Sequence, residues 1–198
     1  MQQAGRPRKF DPDKTMSQIM QLFWEHGYEA TGLSDIIATT GLGKASLYAA
    51  FGNKQSMYLK ALAHYENRMV EAAVSSLRSP DMAPLERIDA FLSEPIKAVR
   101  DHTDRRGCFL CNASADRASL DDDTAALVRQ AYDKMYRAIA DSLSEAFPDM
   151  PIVTVTTRSQ LVLTVYSGLR VMARSGMTAD TLSLARNAVM DTLGAPVR

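Results

Sequence analysis

The sequence predicts an all-α protein that has a small three-helix N-terminal domain and a larger helical C-terminal domain. Apolar residues recur at helical spacing, as in Met16, Ile19, Met20 and Phe23. Prolines, glycines and capping residues divide this pattern into segments of helical length. The one β-branched run, residues 152–156, is too short and too isolated to predict a sheet.

The N-terminal part contains three predicted helices. The first begins near Pro12, with Asp11 as its cap, and Gly27 ends it in a left-handed turn. The second and third lie between Leu33 and Phe51. The later helices are predicted over 54–77, 85–101 with a bend or break at Pro95, 107–117, 121–147, 157–175 and 178–193.

The domain boundary is expected inside the long helix predicted over 54–77, near residues 55–65. Residues 1–60 then form the N-terminal domain and residues 61–198 the C-terminal domain. A continuous helix would couple the two domains mechanically, whereas a flexible linker would not.

Residues 33–51 carry the most informative pattern, LSDIIATTGLGKASLYAAF. Gly41 permits a tight turn between two short helices, and Ile36, Ile37 and Leu47 provide the apolar contacts that hold them together. This arrangement is typical of a helix-turn-helix, whose second helix enters the major groove of DNA. The sequence therefore predicts a DNA-binding domain.

The predicted DNA contacts include small and hydrogen-bonding side chains on the second short helix. Thr31, at the entry to the first short helix, and Lys54, at a helix start that favours phosphate, are added to this set. A basic arm that includes Arg6 and Arg8 is expected to reach the minor groove, unless it is simply disordered. The predicted contacts on the second short helix are Lys44, Ala45, Ser46, Tyr48 and Ala49, of which Tyr48 could instead pack.

The charge distribution is uneven although the formal net charge is zero. Residues 1–60 contain seven basic and five acidic side chains, a net charge of +2, so the remainder carries −2. A mildly basic N-terminal domain suits DNA binding at one end of the protein. The same balance argues against a general DNA-packaging protein, which needs a strongly basic surface.

Residues 9–69 resemble the N-terminal domain of the TetR family of bacterial transcriptional regulators. The resemblance rests on LFWEHGYEAT (22–31), LSDIIATTGL (33–42) and KASLYAAFGNKQSMYLKAL (44–62). Three positions depart from the family pattern: Gly43 replaces the usual Ser or Thr cap, Ala50 the usual His or Tyr, and Gln55 the usual acidic residue.

The resemblance implies an all-helical homodimer that binds a near-palindromic, double-stranded DNA operator. It also implies repression of transcription, and release from DNA when an unidentified small-molecule effector enters the C-terminal domain. In the family the last two helices of each subunit form the dimer interface, although burial within one subunit is the alternative. The residues assigned to this interface are Leu161, Val165, Leu169, Met172, Leu182, Ala185 and Val189.

An effector pocket is expected among the helices from Leu85 to Phe147, with the 54–77 helix as one wall. Apolar and aromatic side chains with a few polar groups suit such a cavity, although ordinary core packing is the favoured alternative at each single position. The candidate lining residues are Met69, Phe91, Cys108, Phe109, Asn112, Tyr132, Met135, Tyr136 and Tyr166.

Cys108 and Cys111 form a Cys-x-x-Cys motif that follows Arg105, Arg106 and Gly107. A helix start beside arginines favours the thiolate, so one hypothesis is a redox or electrophile sensor. Packing of both cysteines as small buried hydrophobes is the simpler alternative. A metal site would need further ligands and only three histidines exist.

Other function classes find little support. A thiol oxidoreductase would normally place its Cys-x-x-Cys after a strand of a βαβ unit, and no such unit is visible. Neither a catalytic set of side chains nor a cofactor-binding motif stands out, so no enzyme activity and no cofactor are expected. The absence of a secretory leader and of an apolar run of membrane-spanning length favours a cytoplasmic protein without a membrane partner.

Overall fold

The structure is a computed structural model that describes residues 10–104 and 106–195. The described residues form helices and no strand, which confirms the predicted all-α class. The helices are α1 (Pro12–Ala30), α2 (Leu33–Thr40), α3 (Lys44–Phe51), α4 (Lys54–Tyr65), α5 (Glu71–Leu77), α6 (Pro84–Arg100), α7 (Phe109–Asp116), α8 (Asp122–Ala146), α9 (Ile152–Arg174) and α10 (Ala179–Leu193), with a π-helical segment Glu66–Val70 between α4 and α5.

The chain divides into two compact units, Met1–His64 and Tyr65–Arg198. In the first unit α1 packs on α2, and α2 packs on α3. The core of this unit contains Ile19, Phe23 and Ile36, all fully buried. The rings of Phe23 and Tyr58 meet edge to face with their centroids 5.1 Å apart, so α4 is held against α1.

Glycines and caps set the helix ends of the first unit. The side chain of Asp11 accepts hydrogen bonds from the backbone N–H groups of Asp13 and Lys14, which confirms the predicted cap of α1. Gly27, which is predicted to end α1, has a φ of +80° and a ψ of 177°; it interrupts the helix, which then continues to Ala30. Asp35 accepts a hydrogen bond from the N–H of Gly32 at 2.7 Å and so closes the start of α2.

The second unit is built around α6, α8, α9 and α10. Helix α6 packs against α8, α9 and α10, while α7 packs against α8 and α9. Ile88, Leu92 and Val162 are fully buried between these helices. Buried Arg158 donates hydrogen bonds to the carbonyl groups of Leu193, at 2.6 Å, and Ala195, and thereby joins α9 to the end of α10.

Two details of the predicted helices change. Helix α6 continues through Pro95 and does not break there, so a proline is accommodated inside it. Helix α9 begins at Ile152, five residues before the predicted start, because Pro151 is its N-cap and Val155 is buried. The helix cost of β-branched residues is modest, and burial of Val155 offsets part of it, although Ile152 and Val153 remain exposed.

Gly52 is a position at which we expect a side chain to be costly. Its φ is +83°, and an added Cβ would lie 2.7 Å from the Cβ of Ser56. We predict that Gly52→Ala lowers the free energy of unfolding of the first unit by about 1–3 kcal/mol. Urea unfolding followed by the fluorescence of Trp24, the single tryptophan, measures this change.

Gly43→Ser is the matched control. Gly43 has a φ of −68° and open space around its Cβ position, and serine is a favourable N-cap. This variant should keep or slightly increase the free energy of unfolding. Equal stability of the two variants would contradict the assigned strain at Gly52.

Candidate functional site

Helix α3 presents one continuous exposed face between two glycines. Gly41 adopts the left-handed conformation, with a φ of +67°, and Gly52 ends the helix at a φ of +83°. Leu47 and Phe51 are buried and attach α3 to the first unit. The side chains of α3 that remain exposed are Lys44, Ala45, Ser46, Tyr48 and Ala49.

This face combines a positive charge with small residues. The ammonium group of Lys44 lies 5.6 Å from the centroid of the Tyr48 ring, so the two side chains stand together on the surface. Alanine and serine beside them leave room for the edges of bases. The arrangement can bind a phosphate and approach base pairs closely.

Lys54 is engaged within its own unit. Its ammonium group lies 4.5 Å from the centroid of the Tyr28 ring and donates a hydrogen bond to the carbonyl of Glu29 at 3.4 Å. Both contacts position this half-buried side chain at the start of α4 and leave a positive charge at the helix N-terminus.

Thr31 corrects the predicted set of DNA contacts. Its side chain is 1% exposed, and its hydroxyl donates a hydrogen bond to the carbonyl of Gly27 at 2.7 Å. Thr31 therefore stabilises the turn between α1 and α2 and is not available to DNA. Arg6 and Arg8 of the predicted basic arm lie outside the described residues.

The second unit contains a cavity of about 280 Å³. Its walls are mainly apolar, and the ring centroids of Phe91 and Tyr166 stack at 3.9 Å on one side. Met69 and Glu94, which also line it, are about half exposed, so the cavity reaches solvent beside them. Among the predicted lining residues, the cavity brings together Met69, Phe91, Cys108, Met135 and Tyr166.

Four predicted lining residues belong elsewhere. Phe109 is buried with its ring edge to face against Tyr65, at a centroid distance of 5.8 Å. The Asn112 amide donates to the carbonyl of Arg106 at 3.1 Å, which fixes the loop before α7. Tyr132 lines a different, open groove, and Tyr136 is half-buried on α8 away from the cavity.

Arg170 forms the polar corner of the cavity together with residues that the sequence did not single out. Its guanidinium, 14% exposed, pairs with Glu94 and donates to the hydroxyl of Tyr166, at 3.0 Å from Nε and 2.8 Å from Nη2. Within the described chain Nη1 has no hydrogen-bond partner, so its two donors remain for a ligand. Burial alone would lower the pKa of Arg170. Tyr166 and Glu94 raise the pKa by more than burial lowers it, so the guanidinium stays charged.

A signal for Arg170 was present in the sequence. It is the charged residue within the apolar-rich stretch 160–173, and a charge on a buried helix face needs partners. Tyr65 and Glu94, which complete the corner, have no comparable signal because both occupy ordinary helical positions.

Cys108 and Cys111 are both buried and reduced, and their environments differ. A hydrogen bond from the thiol of Cys111 lowers the pKa of Cys108 to about 6; burial opposes this shift, and the charge of Arg170 supports it. The same hydrogen bond raises the pKa of Cys111, and burial adds to that effect. The hydroxyl of Tyr65 also donates to the sulfur of Cys108 at 3.6 Å.

The predicted dimer residues separate into two groups. Leu169, Leu182 and Val189 are buried within the subunit, so their assignment to an interface is wrong. They face inward because α6, α9 and α10 pack on one another. The predicted residues that remain at least partly exposed are Leu161, Val165, Met172 and Ala185. Two further apolar residues of the same helices, Val171 and Leu184, are 55% and 71% exposed.

The described residues offer neither a metal site nor a membrane span. No group of three or more His, Cys, Asp and Glu side chains there is arranged to hold a metal ion. No helix in the same residues has the length and hydropathy needed to cross a membrane.

One chain thus carries a helix-turn-helix in its first unit and a cavity in its second, helical unit. This combination is typical of a transcription regulator. The family model "Bacterial regulatory proteins, tetR family" matches residues 16–61, and "Tetracyclin repressor-like, C-terminal domain" matches residues 84–189. The chain therefore belongs to the TetR family of bacterial regulatory proteins.

Relatives and solved structures agree with this placement. The HTH-type transcriptional repressor ComR of Escherichia coli (strain K12) is 26% identical over 181 residues, which are 90% of this chain and 86% of ComR. The repressor BdcR of the same organism is 28% identical over 179 residues, with the same two shares. A cysteine mutant of the TetR family regulator CifR, complexed with 26-base-pair operator DNA, has a TM-score of 0.78 at 23% identity and covers 96% of this chain and 100% of its own.

The thiol environments lead to a pH prediction. The alkylation rate of Cys108 by iodoacetamide should follow its thiolate fraction, falling as pH drops through about 6. In Cys111→Ala the hydrogen bond to Cys108 is lost, so the midpoint should move up toward the ordinary thiol value of about 8.5. Peptide mass spectrometry across pH 4–10 measures both profiles, with Cys108→Ala as the control for other sites. A wild-type midpoint at or above that of Cys111→Ala would contradict the assigned hydrogen bond.

Proposed function

We propose that this protein is a homodimeric repressor that binds a near-palindromic DNA operator and leaves it when a small molecule enters the cavity of the second unit. Residues 1–60 would bind DNA, and residues 61–198 would bind the effector and form the dimer. The observation that carries the proposal is the exposed face of α3 between two positive-φ glycines, in a chain of the TetR family.

The proposed DNA contacts follow from exposure. Lys44 and Ser46 donate to phosphates or base edges, and the Tyr48 hydroxyl donates to a phosphate. Ala45 and Ala49 allow close approach to thymine methyl groups. Lys54 adds a phosphate contact at the start of α4, while Arg6 and Arg8 would contribute the arm in the minor groove.

Repression is supported by the relatives, because ComR and BdcR are both named transcriptional repressors. Binding to operator DNA is supported by the CifR complex, since that protein has the same fold. We place the protein in the cytoplasm, where its DNA target lies, and propose neither an enzyme activity nor a cofactor.

The effector site is proposed at the cavity beside Arg170. Its apolar walls suit an apolar ligand body, and the guanidinium suits one oxygen-bearing group. An effector that prefers one conformation of the dimer shifts the population toward it. Release follows if that conformation no longer spaces the two α3 helices one DNA turn apart, about 34–36 Å.

The dimer is proposed to form through the exposed apolar residues of α9 and α10. Leu161, Met172 and Leu184 expose large side chains that a water-soluble surface normally avoids in groups. A helix-turn-helix that contacts one half-site also needs a two-fold partner to contact the other half of a palindrome.

A second candidate function is a redox- or electrophile-sensing repressor that acts through Cys108 and Cys111. The specific support is that Cys108 lines the cavity and its pKa is lowered to about 6. A molecule that enters the cavity therefore meets a thiolate at neutral pH. A thiol oxidoreductase has no such support, since its characteristic strand does not occur in the described chain.

Lys44 tests the DNA interface. We predict that Lys44→Ala weakens binding to the DNA upstream of the protein's own gene because a phosphate contact is lost. The slope of log K against log salt should become less steep by about 0.9 for each lysine removed, and so by about 1.8 for the dimer. Fluorescence anisotropy of labelled DNA at several salt concentrations measures affinity and slope.

The control for this experiment is Lys97→Ala, which removes an exposed lysine from α6 in the second unit. It should bind as the wild type does. If Lys44→Ala and Lys97→Ala behaved alike, α3 would not be the DNA-binding element. If the wild type bound its upstream DNA no better than random DNA, the proposed function would fail.

Leu161 tests the dimer. Leu161→Asp should yield a folded monomer with at least about tenfold weaker DNA binding, because a charge would lie in the apolar contact. Light scattering and circular dichroism measure mass and helicity. Leu169→Asp is the comparison variant on the same helix. It should instead unfold the second unit, since Leu169 is buried within the subunit. A dimeric, DNA-binding Leu161→Asp protein would contradict the assignment.

A further inference from the structure

Cys108 and Cys111 open onto two different spaces. Cys108 lines the cavity, beside Tyr65 and Arg170. Cys111 lines a separate, open groove, together with Tyr132 and Gly168. The two sulfurs nevertheless meet, because the thiol of Cys111 hydrogen-bonds to Cys108. A molecule in the cavity therefore reaches one sulfur first, and the second stands directly behind it.

The surroundings assign different chemical roles to the two sulfurs. Cys108 immediately precedes the first residue of α7 and is stabilised as a thiolate by Cys111 and Arg170, so it is the nucleophile. Cys111 keeps its proton, and its sulfur lies 3.4 Å from the Tyr132 hydroxyl and 3.9 Å from the Ser167 carbonyl oxygen. Residues three apart at a helix start are a spacing that a disulfide can join.

The cavity selects the oxidant. Its walls include Phe91, Leu110 and Met135, which favour an apolar body over water. The unused Nη1 donors of Arg170 can hold an oxygen that gains negative charge during reaction. An oxidant with an apolar body and a terminal peroxide group satisfies both requirements.

We propose that the Cys108–Cys111 pair is a reaction site for organic hydroperoxides that enter the cavity, and that it ends as a disulfide within one chain. This inference rests on the second candidate function, the redox-sensing repressor, and specifies its oxidant and its chemistry.

The reaction balances in two steps. The Cys108 thiolate attacks the terminal peroxide oxygen; an S–O bond forms, the O–O bond breaks, and the alkoxide leaves and takes a proton from water. Thiol and hydroperoxide have then become sulfenic acid and alcohol. The Cys111 sulfur next attacks the Cys108 sulfur; the S–S bond forms, the S–O bond breaks, and the hydroxyl leaves with the Cys111 proton as water. The two thiols lose two electrons, and the peroxide gains them.

A structural consequence concerns α9. Gly107, just before Cys108, lies so close to this helix that an added Cβ would be 3.3 Å from the Arg170 carbonyl oxygen and 3.2 Å from the Arg174 Cβ. Oxidation also removes the negative charge of the thiolate beside Arg170. A change in the backbone at Cys108 would therefore reach α9 through Gly107, and the change in charge would reach it through Arg170. We assign the outer face of this helix to the dimer.

The test uses the reduced, full-length protein with cumene hydroperoxide and hydrogen peroxide at equal concentrations. Wild type should lose about 2 Da per chain, the mass of two hydrogens, without forming a covalent dimer. Cumene hydroperoxide should react about tenfold faster or more, because its apolar body is buried in the cavity. Intact mass spectrometry and non-reducing electrophoresis follow the reaction.

Variants separate the roles of the sulfurs. Cys111→Ser should stop at a sulfenic acid that dimedone traps at Cys108, whereas Cys108→Ser should form no adduct at Cys111. Ala90→Leu, which adds bulk to the cavity wall and leaves both cysteines in place, should slow cumene hydroperoxide and leave hydrogen peroxide unchanged. A disulfide between chains, equal rates with both peroxides, or reaction of Cys108→Ser at the wild-type rate would overturn the proposal.

DNA binding is measured separately on the same samples. If reduced wild type fails to bind its upstream DNA, the proposed function fails, whatever the masses show. If it binds DNA in the reduced state but forms no disulfide within the chain, the hydroperoxide proposal alone fails.

Discussion

The pairing of the largely buried Arg170 guanidinium is the interaction on which the second unit depends most. A charge taken out of water is costly unless it is paired and hydrogen-bonded. Arg170 on α9 meets this requirement with Glu94 from α6 and Tyr166 one turn earlier, and its charge also stabilises the Cys108 thiolate at the start of α7. Three helices are therefore tied to one side chain, and the apolar cavity is left with a single polar corner.

The first unit follows a simpler constraint. Helix α3 must expose most of its surface and still be held rigidly, so Leu47 and Phe51 supply its anchorage and glycines supply the turns at both ends. The price of this exposure is that little of α3 contributes to stability. The exposed face then depends on the packing of α1, α2 and α4 below it, where Phe23, Ile36 and Tyr58 are buried.

The sequence predicted the fold and the α3 face well because both depend on local patterns: helical spacing, caps and glycine turns. It failed where the outcome depends on which helices pack together. Thr31 is a polar residue at the entry to a helix, where exposure is expected. It is nevertheless buried, and its hydroxyl donates to the carbonyl of Gly27. Leu169 and Leu182 are apolar on helices with two apolar sides, and only the packing of α6 decides which side is inward. Phe109 lies next to Cys108 but points away from the cavity, since neighbours on a helix face different directions.

An occupant of the cavity beside Arg170 should weaken the binding of the α3 face to operator DNA. The most direct measurement is the DNA affinity of Cys111→Ser protein before and after iodoacetamide fixes a small group on Cys108. The double variant Cys108→Ser, Cys111→Ser, treated in the same way, controls for reaction elsewhere. We expect a loss of about 5–150-fold in the DNA affinity of the alkylated protein and no change in the double variant. Equal affinity before and after complete alkylation of Cys108 would contradict it.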